Sequence, residues 1–136
     1  MPASANITRA KQLEPAYPTV EGPVVERPAV KCDNMCVSVL TTRPHSESTV
    51  RHNSEQDTII YAVSGSGVLV VNEAVNSELK YHDLAPGDFA VVPAWVEHQF
   101  KNDTDGDVQW LVIQNGPAPI RADLTEWGGD VVNAKN

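Results

Sequence analysis

The stretch Gly87-Asp88-Phe89-Ala90-Val91-Val92-Pro93-Ala94-Trp95-Val96-Glu97-His98-Gln99-Phe100-Lys101-Asn102 decides how this chain is read. Pro86-Gly87-Asp88 is turn chemistry, Phe89 to Val92 is a short apolar run of strand type, and Pro93 ends it. A second strand opens at His98, where a side chain can point into the mouth of a barrel. Similar runs lie on either side: Met35–Thr41, Thr58–Val63, Gly67–Asn72, Glu78–Leu84, His98–Asn102 and Val108–Gln114. Their spacing of roughly ten residues, with turn signals between, predicts an all-β sandwich or barrel. No stretch of helical length shows a 3.6-residue apolar period.

The chain has 136 residues, which suits one domain with a core of its own. Its net charge is −8, which argues against nucleic acid and against anionic membranes, since both need a basic face. No apolar run is long enough to span a bilayer, and the start Met1-Pro2-Ala3-Ser4 lacks a secretory pattern, so a soluble cytoplasmic protein is expected. Cys32 and Cys36 are the only cysteines and are expected to be free thiols, small buried residues in the strand Met35 to Leu40 or at its edge. Residues 1–30 read as an arm, broken by Pro15, Pro18, Pro23 and Pro28, with a short helix near Thr8 to Leu13. Val24-Val25 and Ala29-Val30 are candidates for short edge strands. The β-domain is expected over residues 31–116, and residues 117–136 read as a tail anchored by Leu124 and Trp127.

The spacing of Gly87, Pro93, His98 and Asn102 resembles the second motif of the cupin superfamily, G-x5-P-x-G-x2-H-x3-N, with Trp95 in place of its inner glycine. In that family this histidine is a metal ligand. The family's first motif, G-x5-H-x-H-x3,4-E-x6-G, aligns back from Gly65 with its glutamate position on Thr58. The two histidine positions then fall on Arg51 and Asn53, or with the shorter spacer on His52 and Ser54. Arg51-His52-Asn53-Ser54-Glu55-Gln56-Asp57-Thr58 also resembles a cupin subgroup with a histidine cluster before Gly-Glu-Gln-Asp-Thr. The standard ligand set is therefore not intact.

The resemblance implies a cupin jelly-roll β-barrel (a double-stranded β-helix) with an N-terminal arm, and a homodimer in which residues 1–30 pack along the partner. It implies a metal-dependent enzyme acting on a small organic molecule, with aromatic and polyketide-like compounds among the candidates. The reaction classes are oxygenase, isomerase, lyase or decarboxylase. The residual metal set is His52, Gln56 and His98, and two nitrogens with one oxygen suit Fe, Mn, Ni or Zn. Catalytic candidates are His98, His52 and Arg51. Substrate contacts are Asn53, Trp95, Trp110 and Gln114. An arginine facing the pocket would repel a cation and attract a carboxylate or phenolate; the plainer expectation is a strand-end arginine in water. Two alternatives stay open: a metal-free cupin enzyme using histidine acid/base chemistry, and a non-catalytic small-molecule binding or sensor module.

Overall fold

A computed structural model describes residues 4–13, 22–72 and 78–132. Pro15 and Pro18 lie outside the described residues. Eleven strands follow one four-residue 3-10 turn at Ala10–Leu13: β1 (Val24–Lys31), β2 (Met35–Thr42), β3 (Ser46–Glu47), β4 (Val50–Asn53), β5 (Thr58–Ser64), β6 (Gly67–Asn72), β7 (Lys80–Leu84), β8 (Phe89–Val92), β9 (Glu97–Asn102), β10 (Val108–Asn115) and β11 (Arg121–Leu124). They form two antiparallel sheets, β1-β2-β10-β5-β8 and β11-β4-β9-β6-β7, with β3 added beside β9. No helix of the described residues is long and apolar enough to cross a membrane.

The strand boundaries follow local chemistry. Gly87 has φ +97°, Asp88 accepts the Ala85 N–H on its carboxylate, and Pro93 closes β8. Strict alternation along β9 buries His98, Phe100 and Asn102 and half-exposes the residues between. Asn102, the last residue of the motif, donates to the carbonyls of Thr42, Arg43 and Gly106 and accepts the Thr104 N–H. It thereby ties the β9–β10 turn to the end of β2. The residues expected as two short segments of an arm form one strand, β1, paired with β2 along the edge of the first sheet. Its register shifts between Pro28 and Val30, where an edge strand tolerates a residue that cannot donate.

One end of the space between the sheets is apolar and the other polar. Leu40, Ile60, Leu69, Phe100, Val108 and Trp110 fill the apolar end, each with 2% exposure or less. Trp110 meets Phe100 edge-on at 5.1 Å and donates to the Thr42 hydroxyl at 3.3 Å. Gly67 is small because the Trp110 indole occupies the place a Cβ would take. The polar end holds Arg51, Asn53 and His98 from one sheet and Ser38, Thr58 and Gln114 from the other, all buried.

Candidate functional site

β4 and β9 meet with Arg51 directly opposite His98. Cross-strand partners project to the same face, so the guanidinium and the imidazole both point between the sheets. Asn53, two residues on, shares that side; His52 points the other way. A small recess is lined by Glu26, Arg51, Asn53, His98, Gln114 and Arg121, among others. Glu26, Arg51, Pro119 and Arg121 also line a larger opening of about 660 Å³ between the edges of β1 and β11. These four residues therefore stand between the outside and His98.

His98 is 1% exposed. Its Nδ1 lies 3.0 Å from the Val96 carbonyl, which can only accept, so Nδ1 carries the proton and Nε2 the lone pair. Burial pushes its pKa down to about 4, with the Val96 bond opposing and the charges of Arg51, His52 and Arg121 adding to the fall. It is therefore neutral at pH 7. Arg51 is 6% exposed, and burial, then the Arg121 charge, lower its pKa to about 10. It keeps its charge.

The acids around Arg51 are held more closely by Arg121. Glu26 lies 2.9 Å from Arg121 Nη1 and 3.4 Å from Arg51 Nη1. Asp123 lies 3.1 Å from Arg121 Nε and 3.9 Å from Arg51 Nε. Arg51 Nε is buried and makes no hydrogen bond among the described residues. Its Nη2 reaches the Thr49 hydroxyl at 3.3 Å.

Several sequence-based expectations change here. Arg51 does not face water. His52 leaves the site: it is half-buried, and its ring lies 5.3 Å from that of exposed Trp95. Trp95 takes φ +71°, the left-handed backbone that the motif's glycine would adopt freely. Gln56 is consumed as a loop anchor, donating to the Asn115 and Ala118 carbonyls at 2.6 and 2.8 Å and accepting the Ile120 N–H at 2.8 Å. Trp110 belongs to the core. Gln114 lines the recess and donates to the Thr58 hydroxyl at 3.1 Å. Asn53 also lines it, donating to the Ile120 carbonyl at 3.3 Å. Cys36 is buried as expected, but Cys32 is exposed because it falls in the turn between β1 and β2; both are free. Glu26, Arg121 and Asp123 were not singled out from the sequence; the only available signal was the two-residue alternation of Arg121-Ala122-Asp123-Leu124.

A divalent cation is the cofactor the resemblance implies, and the donors do not fit it. His52, Gln56 and His98 do not converge, because alternation turns His52 away and the Gln56 oxygen is already bonded. The recess offers one imidazole nitrogen, the amide oxygens of Asn53 and Gln114, and the Glu26 carboxylate already paired with Arg121, all beside a buried guanidinium that repels a cation. Among the described residues, no group of three His, Cys, Asp or Glu could hold a metal ion.

A family model for the cupin domain matches residues 38–114. The chain is 34% identical over 71 residues to a 5-aminosalicylate 1,2-dioxygenase of Comamonas sp, covering 52% of this chain but only 17% of the dioxygenase. Its fold is similar to that of TT1209 from Thermus thermophilus, with TM-score 0.65 and 24% identity over 81% of this chain and 96% of that one. It is also similar to an oxalate oxidase in complex with the substrate analogue glycolate, with TM-score 0.71 and 11% identity over 85% of this chain and 62% of that one. At such identities the two structures speak for the fold alone.

Proposed function

The chain belongs to the cupin family, and from that premise we propose that it is a small-molecule enzyme working by proton transfer at His98 without a bound metal. The observation that carries this reading is Arg51 paired across the strands with His98, in the recess where a cation would otherwise sit. Neutral His98 presents its Nε2 lone pair as proton acceptor, and the negative charge developing on the substrate offsets the burial and neighbouring positive charge that otherwise disfavour its protonation. Arg51 stabilises the negative charge that develops as the proton leaves, in a buried setting where such stabilisation is strong. Returning the proton to a neighbouring atom gives an isomerisation; loss of a leaving group gives an elimination. Asn53 and Gln114 line the His98 recess, whose volume of about 10 Å³ admits only the reacting end of the molecule. The dioxygenase similarity supports an enzyme in general, while its small coverage leaves that reaction with the relative.

Elemental analysis of untagged protein, purified without added metal, tests the reading. Well under one equivalent of Fe, Mn, Ni or Zn is expected, with no rise in melting temperature when these ions are added. One equivalent that disappears in His98→Ala would overturn it.

A further inference from the structure

We propose that Arg51 is the receptor for a carboxylate, and that the opening between β1 and β11 admits organic monocarboxylates to it. The proposal rests on the metal-free reading above and names the substrate class of that site.

Three observations support it. First, Arg51 is a buried cation with its donors poorly used. Charge-assisted bonds to carboxylates usually run about 2.7–2.9 Å. Arg121 holds Glu26 at that length and Asp123 at 3.1 Å, whereas their distances to Arg51 are 3.4 and 3.9 Å. Second, the buried Nε–H of Arg51 has no hydrogen-bond acceptor among the described residues, the Asp123 carboxylate standing off at 3.9 Å. A buried donor without a partner is costly, and an incoming carboxylate oxygen supplies one in the planar geometry that guanidinium matches best. Third, Arg51 lines both the 660 Å³ opening and the recess that holds His98. That volume suits a metabolite-sized molecule, and the walls mix Val24, Pro28 and Leu40 with the hydroxyl residues Ser38 and Thr49.

The charge count narrows the class. Arg51 and Arg121 face Glu26 and Asp123, and Glu47 adds a third acid to the same opening, so a second negative charge on the ligand would be repelled. Glu26 and Asp123 would repel a phosphate more than a monocarboxylate. The apolar wall favours a carboxylate with a hydrocarbon or aromatic body over a bare anion.

Calorimetric titration of the 136-residue chain with acetate, butyrate and benzoate is the test, with benzamide and inorganic phosphate as controls. At least one of butyrate and benzoate should bind saturably at one per chain, more tightly than acetate, with benzamide and phosphate much weaker. Arg51→Gln should weaken binding about tenfold or more, the range for a charged hydrogen-bonded contact, and Arg51→Lys should retain part of it. Glu26→Gln, which removes a competing acid, should tighten binding severalfold and serves if Arg51→Gln fails to fold. The Arg51 Nε–H resonance should shift on saturation. No saturable binding to wild type or Glu26→Gln, equal binding of benzamide, or preference for phosphate would overturn the proposal. So would affinity unchanged in a folded Arg51→Gln. Elemental analysis of the same samples separates the two failures: a stoichiometric metal removes the metal-free reading, whereas metal-free protein that ignores carboxylates removes this inference alone.

Discussion

At the residue scale, His98 makes a pH-dependent contribution to stability. Its folded pKa, about 4, lies below the ordinary histidine value of about 6.5. As pH falls through 6.5 the unfolded chain takes up a proton that the folded chain refuses, so stability drops. The loss continues to about pH 4 and then levels off, since both states are protonated below that. The size is on the order of 3 kcal/mol. Urea denaturation at pH 7 and pH 4.5 should show wild type losing more stability than His98→Gln by an amount of that order. Identical losses would mean His98 does not remain neutral inside. Trp95 offers a second check, because a bulky residue at φ +71° costs about 1–2 kcal/mol of backbone strain. Trp95→Gly is expected to melt at the same or a higher temperature despite losing the His52 contact. A fall of several degrees would show that the ring contact outweighs the strain.

At the scale of elements, the site depends on how β11 is held. β11 pairs with β4 and carries Arg121 and Asp123, the residues that set the charge around Arg51. The loop leading to it is held by Gln56, whose amide bonds three backbone groups between Asn115 and Ile120. Gly116, at φ +92°, packs against that amide, and a Cβ there would come within 3.1 Å of Gln56 Nε2. Gln56→Ala strands these backbone groups and should cost roughly 2–4 kcal/mol. The urea midpoint measures the cost. Hydrogen exchange should localise it to residues 116–124, with the β5–β10 pair still protected. Uniform exchange across both sheets would argue against a local anchor.

At the scale of the whole molecule, the first sheet turns an apolar face outward. Ile59, Val63, Phe89 and Val91 are all exposed there, and the Tyr61 ring lies tilted against that of Phe89 at 4.6 Å. The sequence suggested a homodimer built on residues 1–30. β1 pairs within the chain's own sheet and carries Glu26, so deleting those residues would also damage the site and would not by itself test a dimer. The outward face is the better target. Sedimentation at micromolar concentration is expected to give a dimer, and Val91→Glu, which places a charge in the face, should shift it toward monomer. A wild-type monomer at all concentrations would refute the dimer.

The succession of strands was legible in the sequence because turns and apolar runs are local signals. β6 and β8 run from Gly67 to Asn72 and from Phe89 to Val92, the bounds their composition suggests, and the second motif located His98. β3, β4 and β11 were not legible. They are short and largely polar, and they exist because β9 offers an edge to β3 and β4, and β4 in turn to β11. Alternation alone could say that Arg51 and Asn53 share a face and His52 takes the other, but not which face is inside. The β4–β9 register decided that, because a shift of one residue exchanges the two sides. Glu26 and Arg121, 95 residues apart in sequence, meet only because the edges of the two sheets close over the same opening. Sequence determined the family, the longer strands and the place of His98. Tertiary structure decided that the cation beside it is an arginine of the chain itself, because only the pairing of distant strands sets which charges a buried group must face.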